Sequence, residues 1–302
     1  MTDGRPWITA CIPTYRCQRY LRHAVESLLS QTFPFIRVVV INDGDPDSPW
    51  PVLGGINDPR LFRYDLGENR GPYFCFAVAV EASDDPFFLV QDADDLSAAT
   101  RVERLLELIR RDRSCFACSS MEQFRSLPNG DTTFEVPLFV RNPSTRPTHD
   151  FTRYPVPHHG LFTTHALRRL GGYYGGFKFN YDFLLMKLLV LVGNVSWTPE
   201  RLYWRRLRCD SLTHAPDTAI GSRARQLIAE EMKPIYASAY ANYLRFLARR
   251  ITGESLLHSI RSSIEARRGA TETQRIRIHA ARLRQIMRGQ IRAHMRTNVR
   301  WL

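Results

Sequence analysis

The sequence predicts an α/β fold whose central sheet is mostly parallel, followed by a basic helical appendage. Short apolar runs of strand length alternate with helical patterns through the first hundred residues, and polar turns separate them. Alternation of this kind indicates right-handed crossovers between parallel strands. The polar residues that end each run are therefore expected at one edge of the sheet, where open α/β sheets bind ligands.

The predicted elements follow one another in the order that such a sheet requires. The four strands are Trp7 to Ile12, Arg37 to Ile41, Leu61 to Tyr64 and Phe87 to Val90. Pro13-Thr14-Tyr15 interrupts the first strand, and residues 42–47 are too rich in Asp, Gly and Pro to extend the second. Helical patterns follow at Tyr20 to Leu29 and Phe74 to Ala82. The side chains expected at the shared edge are those of Thr14, Asp43, Arg70 and Asp92.

The fourth strand ends in three carboxylates. The run FFLVQDADD passes from a buried-strand pattern directly to Asp92, Asp94 and Asp95. Crowded carboxylates repel one another unless a cation neutralises them, and a few oxygen ligands shared with phosphate suit Mg²⁺ or Mn²⁺ better than zinc. The alternative is that they only cap the helix that begins near Ser97, since carboxylates favour a helix N-terminus.

Five segments in the first hundred residues resemble one known family. They are IPTY at 12 to 15, SLLSQT at 27 to 32, VVVINDGDPD at 38 to 47, ENRGP at 68 to 72 and QDADD at 91 to 95. In this order and at this spacing they resemble the family 2 glycosyltransferases, which have the Rossmann-like GT-A nucleotide-sugar-binding fold. The resemblance implies the same fold for this chain.

The resemblance also implies roles for individual residues. Thr14 and Tyr15 would line the nucleobase pocket. Asp43 would accept a hydrogen bond from the base, and Arg70 would close over it. The full set implied to bind the nucleotide sugar is Pro13, Thr14, Tyr15, Asp43, Asn69, Arg70 and Asp92.

A divalent ion, Mn²⁺ or Mg²⁺, is the cofactor that the resemblance implies. Asp92 and Asp94 match the DxD motif of the family, with Asp92 toward the ribose and metal and Asp94 on the ion that bridges the diphosphate. His214 follows the last core strand, where a His of the family often completes the metal shell. Because a guanidinium pairs well with phosphate oxygens, three arginines are further candidates, with a solvated basic loop as the alternative. They are Arg205, Arg206 and Arg208.

The catalytic base is expected on the acceptor side. Asp182 stands near the start of the apolar helix at residues 183–192, where an acidic motif of the family supplies the base. The usual Glu-Asp pair is absent here, which leaves Asp182 as the best single candidate, and a first-turn helix cap is the structural alternative. His158 and His159 compete for the role, since a His needs little pKa adjustment to act as a base near neutral pH.

These features predict an inverting glycosyltransferase that moves a sugar from a nucleoside-diphosphate sugar, most simply a UDP-sugar, to an acceptor hydroxyl. A metal at the diphosphate would stabilise the charge that develops on the leaving oxygen. The acceptor is a small molecule, a lipid-linked glycan or a polymer. The alternative function is a non-catalytic, basic, membrane-binding or nucleic-acid-binding protein that retains this fold. A nucleotidyltransferase would require a Gly-rich phosphate loop after the first strand, and residues 13–16 are not one.

Composition adds expectations about location and redox state. No cationic leader precedes an apolar segment, and Lys187 interrupts the longest apolar run. The protein is therefore expected in the cytoplasm, either free or peripheral to the membrane. Six scattered cysteines, among them Cys115 and Cys118 in a lone CxxC, are expected to be free thiols rather than zinc ligands or disulfides.

Charge divides the chain into a GT-A domain at residues 1–215 and a basic helical region at residues 216–302. The second part has seventeen Lys or Arg against six Asp or Glu, which is +11 of the chain's +12. Helices are predicted at Ser222 to Arg250, Glu254 to Arg268 and Thr271 to Asn298, the last with an apolar stripe from Ile276 to Val299. The stripe could pack on the GT-A domain or on a second copy of the chain. The region could instead lie on an anionic membrane surface or attract a nucleic acid.

Overall fold

The computed structural model describes residues 6–126, 132–134, 146–153, 156–208 and 211–297. Val299, the last residue of the predicted stripe, lies outside these ranges. The described residues form a nine-stranded mixed sheet with helices on both faces. Its strands are β1 Ile8–Thr14, β2 Ile36–Asn42, β3 Leu61–Asp65, β4 Phe87–Val90, β5 Leu96–Ser97, β6 Phe116–Ser126, β7 Thr132–Phe134, β8 Gly160–Thr163 and β9 Val195–Arg206.

The strand order determines which strand ends share an edge. The order is β3-β2-β1-β4-β8-β6-β9-β5, with β7 paired to β6. The first four strands are parallel to one another, as predicted. β8 is antiparallel to β4 and β6, and β9 is parallel to β6. The carboxyl ends of β1, β2, β4 and β9 therefore lie at one edge of the sheet, which we call the carboxyl edge.

The predicted end of the first strand was wrong. β1 continues through Thr14, because Pro13 pairs with Ile41 and Thr14 pairs with Asn42 in the ladder with β2. A proline near the end of a strand removes a single ladder donor, and the strand tolerates that loss. As a result Thr14 is part of the sheet rather than of a loop, and its side chain is buried.

The helices cover the two faces of the sheet with separate apolar clusters. They are α1 Gln18–Leu29, α2 Pro72–Ala82, α3 Arg101–Asp112, α4 Thr164–Arg169, α5 Tyr181–Val192, α6 Arg223–Leu247, α7 Gly253–Arg268 and α8 Ala270–Thr297. α1 and α3 pack on one face. α2, α4 and α5 pack on the other, together with α6, α7 and α8, which correspond closely to the three helices predicted for the basic region.

The apolar sides of α6, α7 and α8 are part of the same core cluster as α2 and α5. Leu283 and Met287 of the predicted stripe are buried there, as are Tyr236 of α6 and Ile260 of α7. α2 is buried on nearly every side, because the sheet lies under it and α8 lies over it. The predicted stripe therefore contacts the rest of the chain. Among the described residues, no helix combines the length and the apolarity that crossing a bilayer requires.

Candidate active site

The carboxyl edge holds a loop fixed by Asp43. Asp43 directly follows β2, and its two carboxylate oxygens accept the backbone N–H groups of Arg70 and Gly71 at 2.7 and 2.8 Å. Burial raises the pKa of Asp43, and these two N–H groups oppose that rise. Asp43, which the resemblance assigns to the nucleobase, thus also holds the segment that starts α2.

Gly71 is the residue that this loop geometry requires. Its φ is +88°, and a Cβ added there would lie 2.7 Å from the carbonyl oxygen of Lys178. Gly67 has a similar φ of +85°, but a Cβ added at Gly67 would meet nothing within 4 Å. An alanine at Gly67 would therefore suffer only the strain of a positive φ, whereas an alanine at Gly71 would suffer that strain and a steric clash.

Gly71→Ala is expected to destabilise the fold by at least about 2 kcal/mol, because it adds a backbone clash to the strain of a positive φ. Gly67→Ala, the matched control, is expected to cost roughly 1 kcal/mol from strain alone. Urea unfolding followed by circular dichroism measures both. Equal losses in the two variants would show that the loop near Lys178 relaxes away from the added methyl group.

Arg70 connects this loop to the basic region. Its Nη1 donates to both carboxylate oxygens of Glu272, at 3.0 and 3.2 Å, and Nη2 pairs with Glu68. Glu272 lies in the first turn of α8. The Arg70 and Glu272 side chains are only 19% and 20% exposed. Asn69 beside them is half-buried. An element of residues 216–302 therefore orients the arginine that the resemblance assigns to the nucleotide.

An acid and imidazole cluster lies beyond β4. Asp92, Asp95 and His159 each offer one ligand atom, and these atoms lie within 4.8 Å of one another. His159 Nε2 is 3.0 Å from Asp92 Oδ2, and its ring stacks on Tyr203 with centroids 4.6 Å apart. We call Asp92, Asp95 and His159 the acid–imidazole cluster.

The two carboxyl groups of this cluster have pKa values that are shifted in opposite directions. Burial together with the neighbouring Asp94 and Asp92 raises the pKa of Asp95 well above its usual range. Burial also opposes ionisation of Asp92, but His159, by its charge and its hydrogen bond, together with His158 and Arg205, lowers the Asp92 pKa. One carboxyl is thus kept ionised while another is driven toward its neutral form. A divalent cation would offset this repulsion, and two carboxylates with one imidazole suit Mn²⁺.

Asp94 and His214, which the sequence placed on the metal, have other contacts. Asp94 pairs with Arg208 Nε at 2.7 Å, and Arg206 Nε donates to the Asp94 carbonyl at 2.9 Å. His214 Nδ1 lies 2.8 Å from Ser211 Oγ. The sequence suggested Asp94 and His214 as metal ligands beside Asp92. In the described part of the chain, the residues that lie close enough to Asp92 to share a metal ion are Asp95 and His159.

Arg101 holds the backbone that leads into the acid–imidazole cluster. The sequence-based expectations did not include this residue. This fully buried guanidinium donates to Gln91 Oε1 at 2.9 Å and to the Val90 carbonyl at 3.1 Å, and it lies 4.5 Å from the centre of the Tyr203 ring. It thus fixes the backbone just before Asp92. A signal for it existed: Arg101 occupies the apolar side of α3 by helical spacing, one turn before Leu105.

The candidate base lies on the opposite side of the same edge. Asp182 is in the first turn of α5, and Tyr73 OH donates to its Oδ1 at 2.5 Å. His158 Nε2 lies 3.9 Å from Asp182 Oδ2, and its Nδ1 lies 2.8 Å from Tyr173 OH. Burial and, second, His159 lower the pKa of His158 to about 4, so this imidazole is neutral at pH 7. Two neighbours of the Asp182 carboxylate, Tyr73 OH and the His158 ring, are therefore both neutral at pH 7.

The two adjacent histidines join the base to the cluster. The rings of His158 and His159 lie 4.0 Å apart, centre to centre. His158 faces Asp182, whereas His159 faces Asp92. The sequence suggested that the pair are alternative bases on a loop, but both side chains are buried. The structure thus brings together Asp92, Asp182 and both histidines.

Most of the sheet lies in a segment that matches a known protein family. The sequence profile of glycosyl transferase family 2 matches residues 9–170. The chain belongs to this family. Hyaluronan synthase of Pasteurella multocida is 24% identical over 246 residues, which are 80% of this chain and 24% of that protein. The succinoglycan biosynthesis protein ExoO of Rhizobium meliloti is 30% identical over 105 residues, 35% of this chain and 30% of that protein.

Solved structures agree on the fold of this family 2 member. Residues 1–349 of S. aureus TarS, solved in complex with UDP-GlcNAc, superpose with a TM-score of 0.58 at 18% identity. The match covers 96% of this chain and 92% of that one. At this identity the likeness establishes the GT-A fold, with the predicted helical region after it. The chain spans between 15% and 46% of the length of the curated relatives it matches.

Proposed function

We propose that this protein is an inverting, metal-dependent glycosyltransferase that takes its sugar from a UDP-sugar. The observation that carries this proposal is the continuous series of contacts from Asp182 through His158 and His159 to Asp92. It joins a carboxylate that can accept a proton to a cluster that can hold a cation. Displacement of a nucleoside diphosphate by a hydroxyl requires both at one edge.

The acid–imidazole cluster fits a divalent ion by its chemistry. Asp92 and Asp95 supply carboxylate oxygens, His159 supplies an imidazole nitrogen, and Nδ1 of His159 is buried with no hydrogen-bond partner in the described part of the chain. When bound, Mn²⁺ or Mg²⁺ would stabilise negative charge on the leaving diphosphate. The family motif also allows Asp94 and His214 as ligands, so Asp92 is common to both sets.

The donor is proposed to lie along the ends of β1 and β2. Thr14 Oγ1 is buried and has no hydrogen-bond partner among the described residues. A buried hydroxyl in this condition favours a bound polar ligand. Pro13 is buried and Tyr15 half-buried beside it, and Arg70 lies across the same edge. The buried hydroxyl of Thr14 and the residues around it, together with the UDP-GlcNAc complex of TarS, support a nucleotide-sugar donor.

Asp182 is proposed to deprotonate the acceptor hydroxyl. Tyr73 OH fixes one oxygen of its carboxylate, and neutral His158 borders the other. A base on one side of the sugar and a leaving diphosphate on the other produce a single displacement, which inverts the anomeric centre. His158 is disfavoured as the base because burial lowers its pKa to about 4, which leaves a weakly basic, hydrogen-bonded ring.

Donor hydrolysis tests the proposal. The purified protein is incubated with a panel of nucleoside-diphosphate sugars, with Mn²⁺, with Mg²⁺ or with EDTA, and release of the nucleoside diphosphate is measured. We expect slow release of UDP that requires the metal. A donor and Mn²⁺ could instead raise the melting temperature while no turnover is detected, even with acceptor extracts added. That result would support the non-catalytic alternative.

Glu272→Gln is expected to weaken donor affinity by roughly threefold to tenfold, because Arg70 loses the charged, two-bond partner that orients it. kcat should change little, since Asp182 is untouched. The matched control is Glu265→Gln, which removes an exposed carboxylate of α7 paired with Arg261. Calorimetric titration with the donor measures both. Equal affinity in the two variants would show that Glu272 does not position Arg70 for the donor.

The division at residue 215 remains part of the proposal. The charge of residues 216–302 supports it, because the segment before them is nearly neutral. Glu272, through its contact with Arg70, also gives the second part a role at the proposed donor site.

A further inference from the structure

The turn that joins α6 to α7 exposes an unbroken run of residues. Every residue from Leu244 to Arg250 is exposed, and the sequence of the run is LRFLARR. We call residues 244–250 the α6–α7 turn. It consists of the last four residues of α6 and the three residues that follow them. The other sides of α6 and α7 are buried, through Tyr236 and Leu256. The proposed function assigns it no role.

The α6–α7 turn places three large apolar side chains in water. Leu244, Phe246 and Leu247 are 49%, 39% and 57% exposed. Among the described residues, eight large apolar side chains are exposed, and three of these eight lie within residues 244–247. Single exposed apolar residues are ordinary on a protein surface, but a cluster on one turn marks a contact surface.

The same turn is strongly basic. Arg245, Arg249 and Arg250 are exposed, and the sequence between Glu231 and Glu254 has no carboxylate. Glu254 is paired with Arg169, and Arg245 contacts only the side-chain oxygen of Asn242, at 3.4 Å, in the described contacts. The turn therefore carries a net charge of about +3 next to its apolar side chains, with no carboxylate of its own to neutralise it.

We propose that the α6–α7 turn docks on an anionic lipid surface. The apolar side chains would enter the boundary between headgroups and acyl chains, and the arginines would contact the anionic headgroups. Proteins that bind anionic membranes commonly combine these two features. A second copy of the chain would bring the same +3 turn and a protein of net charge +12 against it, so charge opposes a symmetric contact. A nucleic acid would use the arginines but would leave the three apolar side chains in water.

The position of the turn determines how the enzyme faces the membrane. α6 starts beside the site, where Arg225 contacts Asn180, two residues before Asp182. The turn lies about 30 Å further along the helix, at 1.5 Å per residue. Phe246 lines the same surface cavity as Gly193 and Asn194, which precede β9 at the end of the sheet opposite the carboxyl edge. The docked protein would direct its carboxyl edge away from the bilayer, toward an acceptor that extends from the surface or is dissolved.

Vesicle sedimentation tests this docking. Wild-type protein is mixed with vesicles of phosphatidylcholine alone or with vesicles that also contain phosphatidylglycerol, at low and high salt. The apolar variant combines Phe246→Ser with Leu247→Ser, and the charge variant combines Arg249→Glu with Arg250→Glu. Matched controls are Ile278→Ser, at a side chain that is 42% exposed on α8, and Arg277→Glu on the same helix.

We expect wild-type protein to bind only the anionic vesicles, and both turn variants to lose at least tenfold in partitioning. The α8 controls should bind as the wild type does. Binding by the turn variants that equals the wild type would overturn the proposal. So would an oligomer in solution that the turn variants convert to monomer, or binding of DNA that the charge variant loses while vesicles are ignored.

Donor hydrolysis keeps this test separate from the proposed function. The turn lies far from the carboxyl edge, so every turn variant should release UDP at the wild-type rate. Loss of vesicle binding with unchanged hydrolysis supports the docking surface. Absence of hydrolysis in all proteins, with vesicle binding as expected, would contradict the proposed function and leave the docking surface in place.

Discussion

Replacing Asp182 with Asn is expected to lower kcat by roughly 10²-fold or more and to leave the donor KM nearly unchanged. Asn keeps the shape of the side chain and can still contact Tyr73 and His158, but it cannot take the proton of an attacking hydroxyl. Because His158 and His159 separate Asp182 from Asp92, and the acceptor is proposed to bind on the Asp182 side, donor binding should persist. Steady-state kinetics with varied donor at saturating acceptor separates the two parameters.

Two variants make this result specific. Asp84→Asn is a matched control, since Asp84 is an exposed carboxylate paired with Arg288 and far from the carboxyl edge. It should behave as the wild type. His158→Gln addresses the competing base and should reduce kcat less than Asp182→Asn does. A collapse of donor affinity in Asp182→Asn would instead make Asp182 a binding residue, and a larger kcat loss in His158→Gln would transfer the role of base to His158.

The fold was predictable from local patterns. The parallel pairing of the first four strands and the three helices of the basic region follow from periodicities within single segments of chain, and both agree with the structure. The end of β1 was missed because Pro13 breaks a local pattern, whereas pairing with β2 continues it. That pairing depends on a strand more than twenty residues away, which no window around Pro13 contains.

The site was predictable only in part. The position of Asp92 at the carboxyl edge was predictable because Asp92 closely follows β4, and that position depends on the chain nearby. Asp95 rather than Asp94 lies near His159, and Asp94 pairs instead with Arg208, a contact across more than a hundred residues that no local pattern contains. His159 was predicted as an alternative base on a loop, whereas in the structure its side chain is buried and contacts Asp92.

The basic region shows the same limit. Its charge and helices are visible in the sequence, and they suggested an appendage. The contact of Glu272 with Arg70 joins residues about two hundred positions apart, and Glu272 is the single carboxylate of a helix rich in arginine. No spacing rule distinguishes it from a solvated residue. An acid that stands alone in a basic helix is nevertheless a useful signal, because it is the side chain of that helix that can form an ion pair with an arginine of another segment.

Asp92→Asn is expected to abolish metal-dependent turnover, with a loss of roughly 10²-fold to 10³-fold, while the fold is retained. Asp92 contacts His159 in the acid–imidazole cluster and also begins the DxD motif, so both candidate ligand sets lose a charged oxygen. Mn²⁺ binding should weaken in parallel. Calorimetric titration of the protein with Mn²⁺ alone measures that binding without relying on activity.

Asp94→Asn and Asp95→Asn then decide between the two ligand sets. If the acid–imidazole cluster holds the ion, Asp95→Asn should weaken Mn²⁺ binding at least tenfold, because one of two carboxylate ligands is lost. Asp94→Asn should weaken it less, since Arg208 already neutralises that carboxylate. The reverse order would assign the ion to Asp94, and a parallel loss in His214→Ala would complete the set implied by the family motif. Unchanged Mn²⁺ binding in Asp92→Asn would remove the ion from this edge altogether, because Asp92 belongs to both sets.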